Sequence, residues 1–446
     1  MDNSSESINY LRDHLEKSDC NHYEIYLSQI ESTSIEVKDQ NIDCFTTAQS
    51  AGLSLRVIQD DRMGFSYTTL LNPESFDQII SNALTSAGTS SPDKLYGFPE
   101  KPIHPVELDL LDPNFNLLSK DKKIERLRHI ERDAFSFDRR ITKVRKVAYY
   151  EQKVNRELVN SNGLNLSHSD TLFTTSIVVV AEENGDSQVG WDFDFNRFYN
   201  RLQTNGLGST ASKKALALLG AQSAASFRGP VVLDSSVASQ FLGIVAQSFL
   251  AESAQKKKSI LEGKVDKKIF SEKLSIVDDG LYPGGMSTAP FDGEGVGKQR
   301  TSLVDQGVFR CFLYDTYCAK KDKTQSTGNS SRGSSKSPPH MGYSNLYIQE
   351  GKSSQDAMFS SIDKGLFVSD VMGIHTANPI SGDFSLGING FLIIGGEKSF
   401  PVKGMALAGT ILKLFKDITL VGNDLRFYGK IGSPTIMIGE MDISGT

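Results

Sequence analysis

Carboxylates set among glycines are the first residues in this sequence whose spacing could support chemistry. Asp278, Asp279, Asp292 and Glu294 fall in one Gly-rich stretch. Two acids held close together can divide the general-acid and general-base roles between them. Turn formation by Asp and helix capping are the commoner uses of such residues. The same stretch holds "GEGVGKQ", residues 293–299, which has the outline of a phosphate loop. A true loop needs Gly, four residues, then Gly-Lys and a hydroxyl residue. Here Asp292 stands at the first Gly and Gln299 at the hydroxyl position, so that reading fails. No Gly-x-Ser-x-Gly elbow is present to expose a serine nucleophile.

Metal chemistry needs donors repeated on one face at fixed spacing. His14, His22, His104, His129, His168, His340 and His375 form no His-x-His or His-Glu-x-x-His group. Cys20, Cys44, Cys311 and Cys318 show no Cys-x-x-Cys pair, and no histidine lies near Cys311 and Cys318 to complete a zinc ribbon. Free structural thiols in a reducing cytoplasm fit this pattern. One other stretch draws attention. "SQFLGIVAQSFLAESAQKKKSI", residues 239–260, begins as an apolar helix and turns charged at Glu252 and Lys256.

These residues need a scaffold, and the periodicities outline one. Ile8, Leu11 and Leu15 recur at helical spacing, while Tyr23, Ile25, Leu27 and Leu53, Leu55, Val57 alternate as in strands. "QDDRMG" between strand-like runs predicts an antiparallel hairpin, and Asn72-Pro73 predicts a helix start. A Pro-containing connector covers about 91–116, and a helix follows from Ser119. Ser161-Asn162-Gly163 and Asn184-Gly185 mark turns between long strands, and 212–225 reads as a helix. Beyond Arg228 the chain is a succession of short apolar runs and glycines, the composition of a curled antiparallel sheet. Residues 323–345, rich in Ser, Gly and Pro, read as an exposed mobile loop. The expected class is α+β: an N-terminal α/β region with an antiparallel sheet and flanking helices, then a mainly antiparallel β barrel or sandwich with helices. The expected divisions are 1–90, 91–227 and 228–446.

The bulk figures exclude several functions. A chain of 446 residues with 38% hydrophobic and 23% charged residues has room for two or three cores. A net charge of −6 supplies no basic face for nucleic acid. No apolar run approaches the ~20 residues of a membrane helix. The opening "MDNSSESINYLRDHLEKSDC" lacks the basic and apolar regions of a signal peptide. A cytoplasmic protein is expected.

Six further segments carry a resemblance. "SAGLSLRVIQDDRMGFSYT", "NSNG", "STAPFDGEGVGKQRTSLVDQGVFRCFLYDTYCAKK", "STGNSSRG", "NPISGDFSLGINGFLI" and "PVKGMALAGTILKLFKDITLVGND" occur in this order over nearly the whole chain. Together they resemble the TldD/PmbA family, historically called modulator of DNA gyrase. The resemblance implies a heteromeric zinc protease that trims unfolded or small peptides, built from two kinds of subunit. TldD-type subunits carry His-Glu, three residues, His, and a later Cys as zinc ligands; PmbA/TldE-type subunits lack them.

Aligned on that motif, Ala251 takes the place of the first His, Glu252 that of the Glu, and Lys256 that of the second His. Alanine has no donor atom and lysine is a cation at neutral pH. No histidine lies between His168 and His340, and no cysteine follows Cys318. The resemblance therefore implies a subunit with no catalytic residue and no metal of its own, zinc being held by a TldD-type partner. It permits a homodimer in isolation. The loops expected to line a shared cavity or interface contain Asp292, Glu294 and Gly295, Thr327, Gly328 and Asn329, and Gly382 and Asp383. The Gly-rich strands of 387–396 are expected to admit close backbone approach. Two other readings stay open: a stand-alone hydrolase using Asp292 and Glu294, and a non-enzymatic binding protein.

Overall fold

The computed structural model describes residues 3–17, 20, 22–100 and 106–445, so part of the 91–116 connector lies outside the described residues. The N-terminal half is one six-stranded sheet with four helices. Helix α1 (Asn3–Glu16) precedes strands β1 (His22–Lys38), β2 (Asn41–Gln59) and β3 (Arg62–Thr68). Next come α2 (Pro73–Thr89), α3 (Lys120–Phe137), β4 (Ile141–Asn160), β5 (Asn165–Glu183), β6 (Asp186–Asn196) and α4 (Leu207–Ala217). The strand order is β3-β2-β1-β4-β5-β6, every pairing antiparallel.

Local chemistry explains the elements. Asp60 and Asp61 both adopt positive φ, 52° and 59°, the twist that a two-residue hairpin turn needs. Asn184 and Gly185 do the same for β5–β6. The Asn72 side chain accepts from the Ser75 N–H and Pro73 fills the first helical position, as expected from the sequence. Helix α4 departs from expectation, running over 207–217 instead of 212–225. Gly206 at φ 80° lets it start earlier. Gly220 at φ 73° lies in the turn that follows, where a right-handed helix cannot continue.

Odd-numbered β1 residues such as Ile25 and Leu27 pack with Leu53, Leu55 and Val57 against α1 and α2. Ile35 and Val37 join a second cluster under α3 and α4. Burial of such clusters is worth roughly 25 cal/mol per Å² of apolar surface, which holds the helices to this face.

The C-terminal half begins with β7 (Phe227–Leu233), α5 (Ser235–Ala246), α6 (Ala251–Gln255), β8 (Ile276–Asp279), β9 (Arg300–Asp305) and β10 (Val308–Phe309). It continues with α7 (Thr316–Lys321), β11 (Ser330–Ser331), β12 (His340–Met341), β13 (Leu346–Ile348), α8 (Gln355–Ser360), β14 (Lys364–Met372), β15 (Asp383–Ile394) and β16 (Glu397–Thr410). Helix α9 (Ile411–Lys416) and strands β17 (Ile418–Val421), β18 (Arg426–Tyr428), β19 (Ile431–Ser433) and β20 (Ile436–Ser444) complete it.

One sheet runs β16-β15-β14-β7-β20-β17, and an added β16–β20 pairing closes five of its strands into a barrel. All its pairings are antiparallel except β14–β7. A second six-stranded sheet runs β10-β9-β8-β13-β19-β18, and β11 pairs with β12 alone. Helix α5 touches strands of both sheets, and its residues are buried nearly all round, as a helix apolar on every side must be. The α+β class and the barrel match the expectation. No helix among the described residues is long and apolar enough to cross a membrane.

Two local expectations give way here. The apolar helix of 239–260 is not continuous: Leu250 adopts extended geometry (φ −82°, ψ 130°) and splits α5 from the five-residue α6. The break lets Phe249 and Ala251 exchange backbone hydrogen bonds with Leu313 at 2.9 and 3.0 Å. The Ser-rich segment 323–345 is not an exposed loop either. Asn329, Ser330, Ser335, Met341, Ser344 and Asn345 are buried, with Asn329, the Ser344 N–H and Asn345 bonded inside, while 323–325 and most of 333–340 face solvent.

Candidate functional site

The two halves meet on the second face of the N-terminal sheet. Even-numbered β1 residues and their cross-strand neighbours carry both polar and apolar groups there. Tyr26, Leu158, Leu164 and Leu166 form a cluster with Phe291 of the C-terminal half. Gly295 has φ 86°, and a Cβ on it would stand 2.6 Å from Leu164 Cδ2. Only glycine lets this loop seat so closely.

A buried chain of charges crosses the same seam. Arg56 donates to both Glu24 oxygens at 2.9 and 2.6 Å, and the Arg332 guanidinium donates to Glu24 as well. Glu294 lies 3.5 Å from the other side of Arg56. Burial acts to raise the Glu24 pKa, but the flanking Arg332 and Arg56 outweigh it and hold the carboxylate below its usual range. Such a network costs desolvation of each ion and is stabilising only while every member keeps its partner.

Around it the loop of Asp292, Glu294 and Gly295 meets the loop of Thr327, Gly328 and Asn329. The Asp292 carboxylate accepts three backbone N–H groups, from Glu294, Val296 and Ser330, at 2.9–3.0 Å. Gly293 N–H donates to Ser330 carbonyl at 2.9 Å. Gly328, at φ 72°, would bring a Cβ within 2.6 Å of the Gly297 carbonyl. Thr327 hydroxyl and Asn329 side chain share a 2.6 Å bond, and Asn329 Nδ2 donates to Asp278 at 2.7 Å. Burial pushes Asp278 up to about 6 against the donors Asn329 and Ser344. It also pushes up Asp292, to about 7, with nearby Glu294 adding to the effect. Gly382 and Asp383 lie apart, in the turn before β15: Gly382 packs on Ile411, and Asp383 accepts from Ser381 hydroxyl at 2.6 Å.

Two of the metal-helix positions, Glu252 and Lys256, line a cavity of about 360 Å³ together with Arg56, Glu294, Asp315 and His340. Ala251 is buried and brings no donor. Lys256 lies 2.5 Å from Glu252, both side chains well exposed at 60% and 47%. These residues do not fit zinc: a methyl group and a cation replace two donors, and the remaining carboxylate is taken by that cation. Among the described residues no group of three or more His, Cys, Asp or Glu side chains is placed to hold a metal ion. Asp292 and Glu294 line different cavities, Glu294 this one and Asp292 a second of about 180 Å³.

Sequence reasoning missed two features. The charge chain joins residues as far apart as Glu24 and Arg332, and no local signal marks them. A cavity of about 840 Å³ between β6 with α4 and the barrel strands is walled by Trp191, Phe367, Phe391 and Lys398. At Gly390 the close approach is made by the Phe367 carbonyl of the neighbouring strand, 1.9 Å from where a Cβ would stand.

An antiparallel sheet with helices on one face, docked through buried ions onto a barrel, defines an α+β protein of two joined halves. Domain models described as PmbA/TldA metallopeptidase domain 1, central domain and C-terminal domain match residues 23–87, 113–219 and 226–445. The chain belongs to the PmbA/TldD family. It is 26% identical to the metalloprotease PmbA of Escherichia coli O157:H7 over 426 residues, covering 95% of this chain and 92% of that one. The crystal structure of TldE from Thermococcus kodakarensis superposes with a TM-score of 0.90 at 25% identity, over 98% of this chain and 99% of that one. A Bacteroides thetaiotaomicron structure named for modulation of DNA gyrase gives 0.90 at 26% identity over 100% of both chains.

Proposed function

We propose that this chain is a non-catalytic, PmbA/TldE-like subunit that completes a zinc metalloprotease with a TldD-type partner in the cytoplasm. The substrates of the pair are unfolded or small peptides, such as bacteriocin precursors or an antitoxin. The observation that carries this reading is the Ala251–Glu252–Lys256 arrangement. The cavity that Glu252 and Lys256 line carries no zinc donor set, which supports the reading that hydrolysis by activated water comes from a partner. The carboxylates of the stand-alone reading, Asp292 and Glu294, are engaged in loop and ion-pair structure and do not line one cavity.

The test is zinc content and cleavage of an unstructured peptide, for this chain alone and mixed with a TldD-type subunit from the same cell. Absence of zinc and cleavage in the chain alone, with chelator-sensitive cleavage in the mixture, is the expected result. Stoichiometric zinc in the isolated chain would overturn it. Chelator-resistant cleavage by the chain alone would favour the stand-alone hydrolase.

A further inference from the structure

The cavity of about 180 Å³ at the seam holds more hydrogen-bond donors than its own acceptors can use. Its charged walls are Arg156, Arg197, Lys298 and Arg332, facing Asp170 and Asp292, with His168 between them. Several of these are fully engaged. Arg197 donates to Asp170 at 2.7 Å and to the carbonyls of Thr171, Gly285, Met286 and Thr288. Arg332 is taken by Glu24, the Gly293 carbonyl and the Ser54 hydroxyl. Asp292 is filled by three backbone N–H groups. Arg156 donates to Asp170 and shares a bond with the Tyr26 side chain.

Three donors remain. The Lys298 ammonium has three N–H groups and one acceptor, the Ser287 carbonyl at 2.8 Å. The Ser330 hydroxyl is buried without a partner. His168 supplies the third. A guanidinium can only donate, so Arg156 Nη1, 3.3 Å from His168 Nε2, makes that nitrogen the acceptor. Asp170 is 3.6 Å away, beyond hydrogen-bond reach. Burial lowers the His168 pKa and keeps the ring neutral, so its one proton sits on Nδ1. That N–H is buried and has no acceptor, on a side chain only 10% exposed. Unmet buried donors are unfavourable unless something accepts from them.

We propose that this cavity is a binding site for a small oxyanion, held by Lys298, His168 Nδ1–H and the Ser330 hydroxyl. Phosphate and the terminal carboxylate of a peptide share the required chemistry: a negative charge and at least two acceptor oxygens. Four cations and two carboxylates line the cavity, and with Glu24 behind Arg332 offsetting one more charge the walls keep a positive sign. The site belongs to this chain alone and stands whether or not the chain pairs with a zinc subunit.

Titration calorimetry and thermal melting of the full chain with inorganic phosphate, and with a short peptide in free-acid and C-terminally amidated forms, tests it. Binding of phosphate identifies a phosphate site. Binding of the free acid but not of the amide identifies a peptide-terminus site. In either case Ser330→Ala is expected to weaken binding by about tenfold and Lys298→Met to abolish it, while Lys256→Ala, in the other cavity, leaves it intact. Ser330→Ala removes one oxygen from a hydroxyl that bonds nothing, so it keeps the test decisive if Lys298→Met does not fold. Failure of all three probes to bind, or equal binding by the wild type and Ser330→Ala, would overturn the proposal and leave the cavity to water.

Discussion

Lys256 and Glu252 face each other one helical turn apart, ammonium 2.5 Å from carboxylate, at two positions that the resemblance aligns with the zinc motif of TldD-type subunits. Both side chains are more than 40% exposed, and pairs of this kind are worth about 0.3–0.5 kcal/mol. Lys256→Ala should therefore change stability by less than about 1 kcal/mol. In a mixture with a TldD-type subunit it should leave peptide cleavage within about twofold. A large loss of cleavage with stability unchanged would show that the lysine handles substrate.

Glu24 is the hub of the seam, with Arg56 and Arg332 both donating to it. Glu24→Gln leaves two guanidinium groups buried with one full counter-charge fewer. Breaking buried pairs in this way costs about 3–5 kcal/mol. Urea unfolding followed by Trp191 fluorescence should show the midpoint moved down accordingly. Equal midpoints would mean that water enters the seam and screens the arginines.

Gly328 separates two kinds of glycine in the Ser-rich segment. Its φ of 72° and the Gly297 carbonyl 2.6 Å from a built Cβ leave no route for a side chain. Gly328→Ala should cost about 1–3 kcal/mol. Gly333, at a tip with nothing within 4 Å, should accept alanine with no measurable change in melting temperature. Identical melting of both variants would remove the argument that the two loops are locked backbone to backbone.

Asp278 gives stability a pH dependence of definite sign. Its carboxyl titrates at about 6 when folded against 3.8 as the ordinary value. Between these values the folded chain keeps a proton that the unfolded chain has released. Stability from this group is complete below about pH 4 and falls as pH rises through 6. The drop amounts to about 3 kcal/mol. Asp278→Asn should be less stable in absolute terms, because an amide cannot accept from both Asn329 and Ser344 as the carboxylate does. Its denaturation free energy should nonetheless vary less than that of the wild type from pH 4 to 6. Parallel slopes would place the titration elsewhere.

The sequence disclosed what is local. Alternation found β1 and β2, and the Asn72-Pro73 pair and the Asp60-Asp61 and Asn184-Gly185 turns were readable because one or two residues set their backbone. The α4 boundary was not, because the apolar period of 212–219 runs on past the point where the chain turns. Glu24, Tyr26 and Ser28 were the instructive failure. Beside Tyr23, Ile25 and Leu27 they look like the solvent face of a half-buried strand. They are buried because C-terminal loops cover that face. Strand periodicity reports which residues share a side, not what lies over it. The ion chain and the oxyanion cavity both sit on this covered side, so neither left a trace in local pattern.

Closure of the barrel bears on how the protein is made. Strand β7 ends at Leu233, and its antiparallel neighbour begins at Ile436, about 200 residues later. A ribosome adding ~5–20 residues per second needs roughly 10–40 s to bridge that gap. During it the finished N-terminal sheet waits with Glu24 and Arg56 uncovered on one face. The nascent chain thus carries a polar, charge-paired surface through the interval in which its apolar barrel strands still lack a seam. That surface is better suited to waiting in water than a bare hydrophobic one.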